Sequence, residues 1–328
     1  MATIARSSAV SAEASSDPVN PLIGVGLKIV SALSFTFMSA GIKWLGTDYP
    51  TGQIVFFRSA FALVPLGLWL GWQGGLLNAV RTSNVRGHLV RGVISSCGMF
   101  AGFVALANLP LSDAIAIGYA APLITVVLAW LLLRETVRPY RWAAVAAGFA
   151  GVLIMLYPNL RGSWAGPAVL SGSALGAAAA LFGAFCSAGA TIQVRHLTKT
   201  ERTGAIVLYF SLLTTALGLL TIAFGWTVPN GRELALLIGI GVLGGIGQIL
   251  LTQSFRYADA SLVAPFDYST MIWALPIGWA LFGQWPDRYV AIGGAIVAAA
   301  GLFVIWRERR LGRFAPPAED GREDGRPV

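Results

Sequence analysis

Charge is what this chain has least of. Lys, Arg, Asp and Glu make up 12% of its 328 residues, about half the roughly 25% that a soluble domain needs for its polar skin. A water-facing surface over most of the length is therefore excluded. Histidine is almost missing. His88 and His196 are the two present, both read as lying in polar loops, which argues against a histidine metal centre or a catalytic triad. Cys97 and Cys186 are the two cysteines. Both fall in apolar stretches with no zinc or CxxC spacing, so buried, inert thiols are expected. No Walker A sequence occurs, so ATP drive has no support. No aspartate-rich motif occurs of the kind with which membrane enzymes hold metal. Neither a cofactor nor a metal is expected, and an enzyme is not. The first twenty residues carry Arg6, Glu13 and Asp17 with no apolar core, so they do not read as a cleaved signal peptide.

What the chain has instead is apolar length: 56% hydrophobic residues and a mean hydropathy of +0.70. A membrane-spanning helix needs roughly 20 mostly apolar residues. Such runs place ten helices near 21–45, 52–72, 89–108, 113–133, 141–157, 171–194, 204–225, 233–256, 261–283 and 288–306. Residues 1–20 and 309–328 are polar tails expected to be disordered, and 158–170 reads as a linker. The net charge of +8 does not indicate a nucleic-acid partner, because the basic residues sit in short connections where they set membrane orientation. One set of connections holds Arg81, Arg86, Arg91, Arg134, Arg138, Arg141, Arg195, Lys199, Arg202 and Arg256, joined by Arg307, Arg309, Arg310 and Arg313 after the last span. The alternate set holds Arg161, Arg232 and Arg288, with Lys43 at a helix edge. Cytoplasmic loops collect Lys and Arg. Both termini are therefore expected in the cytoplasm, with the chain in the inner (cytoplasmic) membrane.

The second half echoes the first at one constant offset. Ser112 pairs with Ser261, Tyr119 with Tyr268, Trp130 with Trp279 and Tyr140 with Tyr289. Each copy would hold five helices, and an odd number inverts the second copy in the membrane. Inverted repeats belong to secondary transporters that bind solute near the midplane between the halves. The expected fold is thus an all-α membrane protein with units 21–157 and 171–308.

Several motifs resemble the drug/metabolite transporter superfamily, in its EamA-like branch. They are Phe57-Arg58-Ser59, Ala107-Asn-Leu-Pro-Leu-Ser-Asp-Ala114, Tyr119-Ala-Ala-Pro122, Glu135, Gly148-Phe-Ala-Gly151, Ala264-Pro-Phe-Asp-Tyr268 and Gly293-Gly294. The resemblance runs from Pro21 to Glu308. One departure is Gln284, where the family usually has a Glu matching Glu135. The resemblance implies ten helices in two inverted halves around a central cavity. It also implies transport of amino acids, S-adenosylmethionine, riboflavin or similar metabolites.

Ionisable groups at bilayer depth are costly and mark function by default. Arg58, about two turns into the second span, could attract a carboxylate with its bidentate fork or could make a structural bond between helices. Asp267, read as an acid inside the ninth span, could bind a cation or a coupling proton, or pair with Lys28. Lys28 and Lys43 are near opposite ends of the first span and could snorkel to the interfaces. Tyr119 and Trp130 are about three turns apart, as are Tyr268 and Trp279. Each pair would share a face with Pro122 and Val126 or with Met271 and Leu275. Such a stripe could line a cavity, or the tryptophans could sit in the interfacial belts. Gln248, with Thr252 facing alike, could touch solute or bond a neighbouring helix. Pro122, Pro265 and Pro276 each free a backbone carbonyl and are candidate gating positions, although Pro65 weakens that contrast. The glycines clustered from Gly239 to Gly247 are expected to pack helices closely.

The expected function is a secondary transporter or facilitator working by alternating access. The expected partners are a small-molecule solute and the lipid bilayer, with a coupling proton and a second copy of the chain as candidates. The alternatives are a membrane enzyme acting on lipid and a membrane receptor or scaffold.

Overall fold

A computed structural model describes residues 21–46, 48–72, 82, 84–133, 137–161, 172–197, 200–257, 266–267 and 269–310. The expected tail 1–20, most of the expected linker, Glu135, Pro265 and Tyr268 lie outside them. Regular structure among the described residues is entirely helical. The helices are α1 (Pro21–Leu45), α2 (Thr51–Trp72), α3 (Val85–Asn108), α4 (Leu111–Gly118), α5 (Ala120–Leu133), α6 (Pro139–Arg161), α7 (Gly172–Leu197), α8 (Thr203–Leu220), α9 (Gly231–Tyr257), α10 (Ser269–Phe282) and α11 (Arg288–Arg310).

Among the described residues eight apolar helical runs are long enough to cross a bilayer, with α4 and α5 counting as one run, Leu111–Leu132; Ser269–Phe282 and Arg288–Val304 are shorter apolar helices. Helix is the expected outcome, since in lipid each backbone N–H must find its acceptor within its own segment. The skin is apolar too: Leu68, Leu153, Ile272 and Leu302 all point outward, a fault in water and a match in lipid.

The expected fourth span, 113–133, is present as the run Leu111–Leu132, with a one-residue turn inside it. Helix α4 ends at Gly118, and Tyr119 occupies a turn before α5. Pro122 explains the position. It has no N–H for the carbonyl four residues earlier, that of Gly118, and its ring crowds that carbonyl. The third helix starts a turn earlier than expected, so His88 is buried in α3 and not in a loop. His196 likewise falls within α7. Arg91, assigned to a cytoplasmic loop by its charge, is buried inside α3. Asp267, expected inside the ninth span, precedes α10 in a short 3-10 turn. Of the two thiols expected to be buried, Cys186 is and Cys97 is exposed.

Glycines set the tightest crossings. Helix α9 lies against α1 and α2. A Cβ on Gly245 would stand 2.6 Å from Pro65 Cγ, and one on Gly244 2.9 Å from Met38 Sδ. Ser31 and Ser34 of α1 donate to the carbonyls of Gly247 and Leu243, both at 2.8 Å. Elsewhere α3 packs on α7, α2 on α8 and α6 on α11. One core of buried residues joins α4, α5, α6, α7 and α11, and a second joins α1, α2, α3, α4 and α9.

Candidate solute site

A cavity of about 270 Å³ opens between α1, α3, α4 and α7. Gly98, Gly102, Gly118 and Gly183 give it room, Met99 and Phe103 give it apolar wall, and Ser39 and Ser187 supply hydroxyls. A few polar groups in an apolar lining is the usual make-up of a small-molecule site. None of the candidate site residues among the described ones lines it.

Several of those residues instead form a chain of contacts beside it. Lys28 Nζ lies 2.5 Å from Asp267 Oδ1, with the lysine buried and the aspartate side chain 45% exposed. Lys28 thus points inward to a partner and does not snorkel. The Thr270 hydroxyl donates to the Asp267 carbonyl at 2.6 Å. It also lies 2.6 Å from Tyr119 Oη. A threonine has one hydroxyl proton, and Asp267 takes it, so Tyr119 is the donor to Thr270. Tyr119 is 7% exposed because the break at Gly118 turns it into the bundle. Tyr119, Thr270, Asp267 and Lys28 therefore tie the α4–α5 junction to the start of α10 and to α1.

Arg58 is 4% and Arg91 5% exposed. The guanidinium carbons of both stand over one ring, that of Phe210 on α8, at 5.6 and 4.8 Å from its centroid. Arg91 Nη1 donates to the Ile206 carbonyl at 2.7 Å. Among the described residues Arg91 Nε and Arg58 Nε and Nη1 have no hydrogen-bond partner, and no ion pair reaches either side chain. A charge at bilayer depth costs roughly 2.5–3.5 kcal/mol on insertion scales. A cation over a desolvated ring recovers about 2 kcal/mol. Two such cations with no facing acid remain undercompensated.

The other predicted residues are dispersed. Trp130 and Trp279 are exposed, meeting Trp142 and Trp285 at 5.3 and 6.3 Å between ring centroids. Trp130 and Tyr119 therefore do not share one buried stripe. Pro122 and Pro276 are exposed, and Gln248 is half-buried. The Gln248 carbonyl accepts the Thr252 hydroxyl at 2.7 Å, a bond within α9.

Some polar contacts had no signal in the sequence. Lys43 Nζ donates to the Leu109 carbonyl at 2.5 Å, closing the end of α3. Asp113 is a buried acid, held by Ser112 Oγ at 3.1 Å. Glu201 accepts from Thr82 Oγ1 at 2.9 Å and from Asn84 N at 3.1 Å. It also lies 3.6 Å from His88 Nε2, while the His88 ring stacks on Tyr209. Between the α1–α2 turn and α9, Tyr49 Oη donates to Glu233 at 2.5 Å. Gln53 exchanges two hydrogen bonds with the Thr227 backbone, at 2.7 and 3.0 Å. Only composition near helix ends hinted at these groups. The partners of Glu201, Tyr49 and Gln53 lie more than a hundred residues away.

The EamA-like transporter family model matches residues 22–157 and again 174–307. A riboflavin transporter of Rhizobium johnstonii is 33% identical over 302 residues, which are 90% of this chain and 95% of that protein. An S-adenosylmethionine uptake transporter of Rickettsia felis is 26% identical, covering 88% and 94%. A pseudopaline exporter of Pseudomonas aeruginosa is 29% identical, covering 84% and 94%. A solved structure, described as "Crystal structure of protein", aligns with a TM-score of 0.59 at 21% identity over 88% of this chain and 97% of that one; it speaks for the fold alone. With apolar helices along its whole described length and a family model matched in both halves, this chain belongs to the EamA-like transporter family and is a multi-pass membrane transporter, not an enzyme.

Proposed function

We propose that this chain is a secondary carrier of a small organic metabolite in the inner membrane, built as two inverted five-helix units, 21–157 and 171–308, with both termini in the cytoplasm. The observation that carries the reading is the Tyr119–Thr270–Asp267–Lys28 chain of contacts. It crosses between the two units, where a rocking carrier must make and break bonds. Two further points support it. The family model matches twice. The pairings of α3 with α7 and of α1 with α9 are also the reciprocal contacts that two antiparallel units would make.

Tyr119 and Asp267 are the residues we assign to the solute path, with Pro122 as the hinge that places Tyr119. Pro276, Gln248, Trp130 and Trp279 stay proposals of lower rank, since none of them reaches the cavity or the contact chain; Tyr268 and Pro265, outside the described residues, stay proposals from the sequence. The first compounds to assay are those of the named relatives: riboflavin, S-adenosylmethionine and pseudopaline. Saturable uptake of one of them into proteoliposomes, reduced by Tyr119→Ala, is the expected result. Uptake no faster than in protein-free liposomes for all three would overturn these assignments.

A proton as coupling ion rests on Asp267. Protonating its carboxylate would cancel one side of the Lys28 pair and free α1 from the start of α10. An imposed pH gradient should then change the initial uptake rate, and equal rates with and without it would exclude proton coupling.

A further inference from the structure

We propose that Arg58 and Arg91, held over the Phe210 ring, form a buried receptor for an oxyanion group, a carboxylate or phosphate borne by the transported solute. The inference rests on the carrier reading and adds the chemical class of the solute.

Four observations converge on it. Both guanidinium groups are more than nine-tenths buried. Three of their nitrogens, Arg58 Nε and Nη1 and Arg91 Nε, have no hydrogen-bond partner among the described residues. Both stand over one ring at 5.6 and 4.8 Å, so like charges share a small volume into which, among the described residues, no carboxylate reaches. Finally, helix α3 carries both Arg91 and part of the cavity wall. Arg91 lies two and three turns from Gly98 and Gly102 on the same face of α3, and both glycines line that cavity. Arg58 Nε and Met38 Sδ meet the same point on α9, each about 3 Å from where a Cβ on Gly244 would lie. Met38 is the chain neighbour of cavity-lining Ser39.

An arginine fork pairs with a planar oxyanion through two parallel hydrogen bonds. Within a water-poor bundle such a ligand supplies the two things the pair lacks, acceptors for its N–H groups and negative charge. Because the pair is made of arginines, it stays charged at every pH a cell meets, so the receptor does not switch off by deprotonation. Phe210 provides the apolar floor between the forks, which favours an organic anion over a hydrated inorganic one.

The test uses the full chain in phosphatidylcholine nanodiscs, with thermal unfolding followed under citrate, phosphate and chloride at matched ionic strength. Citrate should raise the midpoint by several degrees and chloride should not. Arg58→Lys should weaken the citrate response about tenfold in concentration, because it keeps charge and loses the fork. Arg58→Met and Arg91→Met should abolish the response while raising the ligand-free midpoint, since each removes a buried, repelled cation. That second readout shows the variants to be folded. A citrate response no larger than that of chloride, or one unchanged in both methionine variants, would overturn the proposal. A response to phosphatidylglycerol-containing nanodiscs with none to citrate would overturn it too, since it would make the occupant a lipid headgroup. Uptake of riboflavin, S-adenosylmethionine and pseudopaline by the unsubstituted chain is measured alongside. If one of them is carried while citrate leaves that chain's midpoint unmoved, the oxyanion receptor fails and the carrier stands. If citrate binds and no solute is carried, the carrier reading fails instead.

Discussion

Lys28 and Asp267 meet at 2.5 Å, although their positions are separated by nearly the whole bundle in sequence. The lysine is buried and the aspartate half-exposed, so the two members have unequal needs. Asp267 can return to water, whereas Lys28 loses its counter-charge.

That asymmetry predicts the outcome of single and double substitutions. Asp267→Asn should destabilise by roughly 1–3 kcal/mol, below the 3–5 kcal/mol of a fully buried broken pair. Lys28→Met with Asp267→Asn should recover most of the loss, since no unpaired buried charge remains. Thermal unfolding of the purified protein in detergent checks both. A double variant less stable than Asp267→Asn alone would contradict the pairing.

The Thr270 hydroxyl gives one bond to Asp267 and takes one from Tyr119. Thr270→Val removes both and Tyr119→Phe removes one. At about 1 kcal/mol per hydrogen bond, Thr270→Val should be the more destabilising by roughly that amount. If Tyr119 also touches solute, Tyr119→Phe should raise KM with little change in the maximal uptake rate. A loss of maximal rate with KM unaltered would confine Tyr119 to a structural role.

Tyr49 donates to Glu233 across the gap between the α1–α2 turn and α9. That bond to a carboxylate, with burial second, raises the phenol from its usual 10.0 to about 12. A raised value means the folded state holds the proton more tightly. Stability from this bond is therefore complete below pH 10 and declines as pH rises towards 12. In an ultraviolet alkaline titration the wild-type protein should show one more late-ionising tyrosine than Tyr49→Phe. The stability gap between the two should close over the same interval.

Two glycines of α9 should respond in opposite directions to the same change. Gly245→Ala puts a methyl 2.6 Å from Pro65 Cγ and 2.8 Å from the Ala62 backbone. Neither can yield cheaply, so a loss of about 1–3 kcal/mol is expected. Gly239 has nothing within 4 Å of the same position, so Gly239→Ala should be neutral or stabilising by up to about 1 kcal/mol. Midpoints from thermal unfolding decide both.

The helices were legible because their cause is local. A run of apolar residues in lipid has one economical way to satisfy its backbone, so α1, α2, α7 and α9 begin and end within about a turn of their expected limits. The break at Gly118 was foreshadowed by Pro122 for the same reason, since a proline acts four residues away. Of the site, Arg58 and Asp267 were conspicuous as charges in apolar surroundings, and the pairing of Asp267 with Lys28 was foreseen as one option. Arg91 and His88 were misplaced. A basic or polar residue near the start of an apolar run looks the same whether it faces the headgroups or the bundle.

Composition alone thus decided that this chain lives in lipid as a set of helices, because the cost of bare backbone and bare charge there is paid residue by residue. Which side chains face one another was decided by the tertiary structure. The meeting of Arg58 and Arg91 at Phe210, and of Tyr119 with Thr270, depends on the rotation and crossing of helices far apart in sequence. Those are set by glycine contacts such as Gly245 on Ala62, whose effect exists only once two helices touch.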